Sequence, residues 1–566
     1  MKKYIWMIIG CLFTQITTAQ VAPKWAEKAK KAVFSIITYN KDNQIKASGN
    51  GFYIDLNGTA LSDYTLFEDA HSATIITADG KQFAVDCILG ANSVYDVVKF
   101  KAPVDKKPVT LTLASQPAKV GDMVYLMPYS TQKSATLQTG KITAVDSIGN
   151  NSFYYTLEMK TTDKIVSCPI MNANGEVLGL IQKSSSDKEK ESYAIGATYG
   201  AALSITPFSL NDRSLQSIPI KKGLPDTEEQ ATVYLFMASS IMNADDYAQL
   251  LNDFITLYPN NDEGYVRRAL MYMSGTDATK YPLAEEDMKR AIEISTDKPE
   301  TRYNVAKNIH AYVLSLNGSE PYSEWTYDKA LDIIRKAIEE KAEPVYIQLE
   351  GDILYAQQKY DEALVCYEKV NQSSIASPAT FYSAAKTKEL IEGTDYNEVI
   401  ALMDSAVSYF TKPYTSEAAP YFFERAEMKA LAGKYREAVL DYNTFYDALQ
   451  GSVTATFYYQ REQSEIQCRM YQQAINDIEK AVEMEPDNVI FWVEKGSVHI
   501  RFNQFDEAVK ALNKAILLDP NSGAAYRMLG YCQAKQNKNN EACANFQKAK
   551  ELGDEVVDQL IEKYCK

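Results

Sequence analysis

The hydrophobic pattern of the chain changes from strand-like to helical near residue 220. From about Ala32 to Leu210, short runs rich in β-branched and aromatic residues are separated by turn signals such as Asn57-Gly58. From about Thr227 onward, the pattern is helical and repetitive. Many short strands joined by hairpin turns indicate a sandwich or barrel. The pattern therefore predicts an all-β region followed by an all-α region.

The length of the chain also indicates a multidomain protein. With 566 residues it is too long for one hydrophobic core. We assign 1–19 to a signal peptide, 20–215 to the β region, 216–230 to a linker and 231–566 to the helical region. The linker assignment follows from its prolines and glycine, since these residues interrupt regular elements.

The first residues resemble a secretory signal. Lys2 and Lys3 precede the apolar run Tyr4–Phe13, which is too short to span a bilayer, and Ala19 offers a small-residue cleavage site. In an alternative reading, Cys11 is the lipidated residue of a lipoprotein signal. Both readings predict export to the cell envelope, either to the periplasm or in association with the outer membrane.

Charge and cysteine content exclude several classes of function. The net charge of -15 and the lack of a basic patch argue against nucleic-acid binding. The sequence has no P-loop, no dinucleotide glycine motif, no H-E-x-x-H and no C-x-x-C pair, so we predict neither a cofactor nor a metal. Cys532 and Cys543 fall on the paired helices of one repeat, where they form either a disulfide or two buried thiols.

The last part of the chain repeats with a period of ~34 residues. A large residue, a glycine, two alanines and a terminating proline recur at this spacing; the positions are Tyr458, Trp492 and Tyr526; Gly496 and Gly530; Ala474, Ala508 and Ala542; Ala481, Ala515 and Ala549; and Pro486 and Pro520. These positions resemble the consensus of tetratricopeptide repeats (TPR). The resemblance implies a helical solenoid with a concave groove that holds a partner protein or peptide, while the large residues themselves are expected to pack the core.

Several motifs of the β region resemble the trypsin-like serine proteases, in particular their exported HtrA-like branch. The motifs are Gly49-Asn50-Gly51-Phe52, Asp79-Gly80, Tyr95-Asp96-Val97-Val98 and Pro169-Ile170-Met171-Asn172 followed by Gly175-Glu176-Val177. The resemblance implies a double β-barrel whose catalysis needs a serine nucleophile, a histidine base and an orienting aspartate.

Two of these three catalytic positions are degenerate in the alignment that the motifs imply. The aspartate position is occupied by Asp96, but counting back from Asp79 places Thr65 at the histidine, and counting back from Pro169 places Val166 at the serine. Ser167 and Cys168 then replace the two glycines of the oxyanion loop. The candidates that would rescue catalysis are Ser167 or Cys168 as nucleophile and His71, six residues beyond the expected place, as base.

The sequence therefore predicts a pseudoprotease fused to a repeat array. We expect a non-catalytic scaffold or adaptor that binds other envelope proteins or peptides through the repeat groove, with the degenerate protease cleft as a second surface. An endopeptidase with a non-standard serine or cysteine site is the alternative from the enzyme class. An accessory protein for carbohydrate or peptidoglycan is a third hypothesis that no motif specifically favours.

Overall fold

A computed structural model describes residues 23–132, 136–149, 151–182, 191–275 and 277–565 of the chain. The predicted signal peptide 1–19, including Cys11, lies outside these residues. The chain divides into two compact units, Met1–Ile294 and Ser295–Lys566. The domain borders assigned at residues 215 and 230 stay a prediction.

The first unit contains all the described strands. Their alternation of buried and half-exposed positions, as in Val33–Tyr39, is that of strands with one face on a core. The strands are β1 (Val33–Tyr39), β2 (Ile45–Tyr53), β3 (Thr59–Ser62), β4 (Ser72–Ile76), β5 (Gln82–Ala84), β6 (Cys87–Asn92), β7 (Val97–Lys101), β8 (Met123–Leu126), β9 (Gln138–Gly149), β10 (Ser152–Glu158), β11 (Pro169–Met171), β12 (Val177–Gln182) and β13 (Glu191–Gly196).

These strands form two antiparallel sheets. The first has seven strands in the order β5-β4-β1-β2-β3-β7-β6, so that β5 and β6 are its edges, and the second closes into a barrel in the order β10-β13-β12-β11-β8-β9. The first of the two predicted barrels is thus open in its hydrogen-bond order, while the second is closed. Each sheet packs its own apolar cluster, around Phe34 and Phe100 in the first and around Leu126 and Leu157 in the second.

The helices of the first unit are short near the sheets and longer towards its end. They are α1 (Ala26–Ala29), α2 (Tyr64–Phe67), α3 (Ala197–Ala202), α4 (Arg213–Gln216), α5 (Glu228–Ala238), α6 (Ala244–Leu257), α7 (Asp262–Ser274) and α8 (Tyr281–Ile294). Tyr234 of α5 and Phe254 of α6 are buried in the same apolar cluster as the first sheet.

The segment between α4 and α5, which was assigned as a linker, packs on the first sheet. Ile218 and Ile220 are buried. The Ile88 N–H of β6 donates to Lys221 O, and the Gly223 N–H donates to Ile88 O, at 2.9 and 2.8 Å. Residues 221–223 therefore satisfy backbone groups along the β6 edge.

The second unit consists, within the described residues, of helices that pair in sequence. They are α9 (Lys298–Ser315), α10 (Tyr327–Glu340), α11 (Pro344–Ala356), α12 (Tyr360–Asn371), α13 (Pro378–Glu389), α14 (Tyr396–Val407), α15 (Ala419–Leu431), α16 (Tyr435–Ala448), α17 (Ala455–Gln467), α18 (Tyr471–Met484), α19 (Val489–Arg501), α20 (Phe505–Leu518), α21 (Gly523–Lys535), α22 (Asn539–Glu551) and α23 (Asp558–Tyr564). None of the described helices is long and apolar enough to cross a membrane.

Small residues allow the paired helices of the last repeats to approach closely. A Cβ added to Gly496 would lie 2.6 Å from the Leu512 side chain, and one added to Gly530 would lie 2.9 Å from the Ala542 carbonyl oxygen. The six alanines that recur on the second helices are fully buried. Trp492 packs against the repeat core as predicted, and its Nε1–H donates to Pro486 O at 2.8 Å. The predicted fold class, a trypsin-like β region followed by a tetratricopeptide solenoid, is confirmed.

Of the two alternatives for Cys532 and Cys543, a disulfide between them is not formed, and a buried free thiol is found for Cys532 alone. Cys543 forms a disulfide with Cys565. Cys532 lies inside the α20–α21 core, whereas Cys543 is next to the end of α23, where its sulfur also approaches Tyr564 O. The C-terminal helix is therefore tied to α22.

Candidate functional site: the protease-like centre

Thr65 and Asp96 contact each other directly. Thr65 lies in the single turn of α2, which follows β3 at once, and Asp96 lies in the turn between β6 and β7. Both the backbone N–H and the hydroxyl of Thr65 donate to Asp96 Oδ1, each at 2.8 Å. The residue aligned with the histidine position thus donates a hydrogen bond to the aspartate, as a histidine would. Unlike a histidine, it has no basic atom that could accept the proton of a nucleophile.

Two neighbouring strands form hydrogen bonds with the segment that would carry the nucleophile. The side chain of Asn50 on β2 donates to the carbonyl oxygens of Lys164 and Val166, at 3.0 and 2.9 Å. Ser167 has φ +65°, in the left-handed region that favours glycine, and its N–H donates to Ile181 O. The turn that the family makes with glycine is kept here with a Cβ in place, at a cost of about 1 kcal/mol.

Neither rescue nucleophile reaches the surface. Ser167 and Cys168 are both 0% exposed. Burial raises the pKa of the Cys168 thiol to about 12, so the thiol stays protonated near neutral pH. The Ser167 hydroxyl has no hydrogen-bond partner of good geometry among the described residues. A substrate carbonyl would need to enter the core to meet either group.

His71, the rescue base, is exposed at the other end of the α2 loop. Its backbone N–H donates to Tyr39 O at the end of β1. Among the described residues, no hydrogen bond joins its ring to Asp96, Ser167 or Cys168. The structure brings Thr65 together with Asp96, and Val166 together with Asn50, but it does not bring His71 to any of them.

A buried carboxyl that sequence reasoning missed lies at the same centre. Asp63 is 3% exposed, and its Oδ1 has no hydrogen-bond partner among the described residues. Burial, and then the charge of Asp96, raises the pKa of Asp63 well above its ordinary value, while the Ser167 hydroxyl acts in the opposite direction. The only sequence signal for Asp63 is its place two residues before Thr65. Asn50 could have been noticed as the polar residue inside the Gly49–Phe52 motif.

In the second unit, a cavity of about 450 Å³ lies among the first helices of successive repeats. Several of its polar groups are paired: the Lys386 ammonium donates to Glu389 and Glu424, and the Gln460 amide donates to Glu427. Burial raises the pKa of Glu427, and the neighbouring Glu424 adds to this effect. The lining residues are Lys386, Glu389, Glu424, Glu427, Met428, Ala430, Leu431, Tyr435, Tyr442, Gln460, Gln463, Ser464 and Gln467.

No group of three or more histidine, cysteine, aspartate or glutamate side chains within the described ranges is arranged to hold a metal ion.

Comparison with known proteins supports the two halves of this description. Residues 49–180 match the trypsin-like peptidase domain family, and residues 469–544 match a tetratricopeptide repeat family. A search of curated proteins gives no significant match.

Among solved structures, the chain is similar to the Rv3671c protease of M. tuberculosis. The active form is 18% identical, with 35% of this chain and 84% of that one covered and a TM-score of 0.28. A mutant in the inactive form is 20% identical, with 33% and 91% covered and a TM-score of 0.28. The chain thus joins a region similar to the trypsin-like peptidase domain to a region similar to tetratricopeptide repeats.

Proposed function

We propose that this protein is an exported, non-catalytic binding scaffold or adaptor of the cell envelope. Its repeat groove holds partner proteins or peptides, and the degenerate protease cleft is a second binding surface. The observation that carries the proposal is the hydroxyl of Thr65 on Asp96, where a trypsin-like enzyme needs a base.

The chemistry at this position supports loss of turnover. Serine proteolysis requires a group that takes the nucleophile's proton and later returns it to the leaving amine. A threonine hydroxyl is not basic near neutral pH, and here its proton is directed to Asp96 Oδ1. Asp96 then acts as a hydrogen-bond acceptor that fixes the α2 turn.

The burial of both nucleophile candidates supports the same conclusion. Ser167 and Cys168 have no exposed surface, and Cys168 is held as a thiol by burial. The conformation of the loop is kept by Asn50 and by the Ile181 carbonyl rather than by a bound substrate. The segment thus serves the fold of the barrel.

Labelling of active sites tests the loss of catalysis. The purified chain is treated with a fluorophosphonate and, separately, with iodoacetamide, and the modified residues are mapped by mass spectrometry. We expect no label on Ser167 or Cys168, whereas the partly exposed thiol of Cys468 reacts with iodoacetamide and serves as the internal control. Label that disappears in Ser167→Ala or Cys168→Ala, together with peptide cleavage, would establish the endopeptidase alternative.

The cavity among the first helices of the repeats supports a binding role for the array. It carries both charged groups and an exposed apolar side chain, Leu431, which is 57% exposed. Leu440, on the second helix of the same repeat, is 62% exposed and does not line the cavity. The two leucines form a matched pair of positions for testing the groove.

Pull-down with these two variants tests the scaffold. Tagged full-length chain, Leu431→Glu and Leu440→Glu are each recovered from cross-linked envelope extracts, and bound proteins are quantified. We expect a specific set of partners that Leu431→Glu reduces about ten-fold and Leu440→Glu leaves unchanged, because burying an unpaired charge in an interface costs about 1.4 kcal/mol or more. Equal recovery with both variants, or no specific partner, contradicts a groove scaffold.

Export is supported by the disulfide Cys543–Cys565, because such bonds persist in oxidising compartments. The mass of the native chain tests it. Removal of 1–19 gives a chain that begins at Gln20, whereas the lipoprotein alternative gives a lipid-modified Cys11 that Cys11→Ala abolishes. An unprocessed chain recovered from the cytosol would overturn the proposal of export.

A further inference from the structure

A second cavity lies in the first unit, among segments that the proposed function does not use. It has a volume of about 420 Å³ and is formed by the N-terminal helix with the turn after it, the β4–β5 hairpin and the stretch after β7. The lining residues are Glu27, Lys30, Lys31, Tyr53, Thr77, Ala78, Asp79, Lys81, Phe83, Val104, Asp105, Lys106, Pro108 and Val109. None of these is a position of the protease-like centre.

The most unusual residue of this cavity is Lys30. Its side chain lines the cavity and only 8% of the residue is exposed, yet it has no hydrogen bond or ion pair among the described residues. Lysine residues are seldom buried to this extent, because the ammonium group needs water or an acceptor. Its stem packs in the protein, and its charged end is left for the cavity.

The charged side chains of the cavity include several ammonium groups that no carboxylate of the described residues accepts from. Asp79 accepts from the Thr77 hydroxyl at 2.5 Å, and Asp105 lies 3.8 Å from the Lys81 ammonium. Lys31 and Lys106 resemble Lys30 in having no acceptor within the part of the chain that the structure describes. Four ammonium groups and three carboxylates thus line the cavity, so that cationic groups are in excess.

The remaining lining is apolar. A hydrophobic wall is formed by Phe83, Val104, Pro108 and Val109. Tyr53 also lines the cavity, and its hydroxyl already donates to Ala102 O. The volume is within the ~300–1,000 Å³ range of small-molecule sites. Such a lining fits a ligand that is apolar over most of its surface and anionic at one end.

We infer that this cavity is a binding site for a small organic anion with an apolar or aromatic body. The anionic group, a carboxylate or a phosphate, accepts hydrogen bonds from Lys30 and from Lys31 or Lys106, while the body contacts Phe83 and Val109. The site is separate from the protease-like centre, so binding there is independent of proteolytic competence.

Calorimetric titration of the full chain with four small probes tests the site. The probes are phenylacetate, phenyl phosphate, the neutral analogue phenylacetamide, and inorganic phosphate, which lacks an apolar body. We expect phenylacetate, phenyl phosphate or both to bind, and phenylacetamide and inorganic phosphate to bind at least about ten-fold more weakly, because each lacks one half of the recognised chemistry. The stronger of the first two identifies the anionic group.

Lysine variants locate the binding. Lys30→Gln keeps most of the stem and removes the charge, and we expect it to weaken binding of the preferred probe by about ten-fold or more. Lys46→Gln, at an exposed lysine of β2 outside the cavity, is the matched control and should bind as the wild type does. If Lys30→Gln lowers stability, as seen by circular dichroism, Lys106→Gln replaces it. Equal binding of phenylacetamide and phenylacetate, equal affinity of the lysine variants, or no binding of either anion at millimolar concentration would overturn the inference.

Discussion

Buried aspartates have different surroundings in the repeat region and in the protease-like region. In the repeats, Arg425 and Arg461 each form a two-bond contact with an aspartate sixteen residues on, at 2.7 to 2.9 Å. In the barrel centre, Asp63 Oδ1 and Ser167 Oγ are buried without a partner. A buried aspartate of these repeats is therefore compensated by an ion pair, whereas Asp63 has no ion pair among the described residues.

Glu462, one of several buried polar side chains of the repeats that have an atom without a partner among the described residues, makes the comparison sharper. Glu462 stands 34 residues before Gly496, at the position where the later repeats have glycine. It is fully buried, and its Oε1 has no partner among the described residues. A repeat array can thus also carry an unsatisfied group, at a place where its neighbours need a small side chain.

The largest effect is expected from breaking a repeated ion pair. Asp477→Ala leaves the Arg461 guanidinium, which is mostly buried, without its main partner and should lower the stability of the array by about 3 kcal/mol. Hydrogen exchange of peptides covering α17 and α18 measures the loss. Glu483→Ala, which removes the exposed partner of Lys480, should leave the stability nearly unchanged, because an exposed ion pair is solvated in any case. Similar effects of both variants would contradict the assignment.

A somewhat smaller effect is expected from filling a helix contact. Gly530→Val places side-chain atoms against Phe546 and the Ala542 carbonyl and should cost about 2 kcal/mol. Lys535→Val introduces the same residue at an exposed site of α21 and should cost about 0.5 kcal/mol, the difference in helix propensity. Thermal unfolding followed by far-UV circular dichroism separates the two, and equal midpoints would refute the close approach.

A change of pH acts on the buried acids of the array. Burial, followed by the charge of Glu494, raises the pKa of Glu462 to about 9, and burial raises that of Glu465 to about 8. The native state therefore keeps protons that the unfolded chain releases near its ordinary value of 4.5, so stability falls as pH rises from there towards about 9. Glu462→Gln should flatten this slope in denaturant titrations at pH 5, 7 and 9. An unchanged slope would show that the carboxyl titrates normally.

The smallest effect concerns the orphaned carboxyl of the barrel. Asp63→Asn removes the repulsion from Asp96 and the cost of burying a charge, and should raise stability by about 1 kcal/mol near neutral pH. The gain should disappear in acid, because Asp63 is then protonated in the folded and unfolded states alike. Asp42→Asn, at an exposed turn, is the control. A loss of stability in Asp63→Asn would contradict the prediction, because it would show that the Asp63 carboxylate makes a stabilising contact.

The two regions also differ in what could be predicted from their sequences. The repeat positions were predictable because each consensus residue has a steric role: Gly496 and Gly530 must be small, and the alanines must be buried. The pairing of Cys543 with Cys565 was not, because the last helix, α23, lies outside the repeat period. Spacing within one repeat suggested Cys532 instead.

In the barrel, motif order predicted the fold. Counting assigned Thr65 and Asp96 to two positions of one centre, and the structure shows the contact between them. The roles of Asp63 and Asn50 could not be counted in this way, since they depend on which side chains turn inward after β3 and along β2. The hydrophobic pattern also could not predict that the first sheet stays open. Hairpin signals specify which strands are neighbours, and they do not specify whether the sheet closes.

The pairing of residues 221–223 with β6 determines where the β region can be cut for separate study. A shortened chain that stops at residue 215 would free the N–H and C=O groups of an edge strand and remove Ile218 and Ile220 from their apolar contacts. Such an edge recruits further strands and promotes aggregation. A soluble fragment must therefore reach at least Gly223, and one that ends after Leu257 also keeps Tyr234 and Phe254 in the shared core.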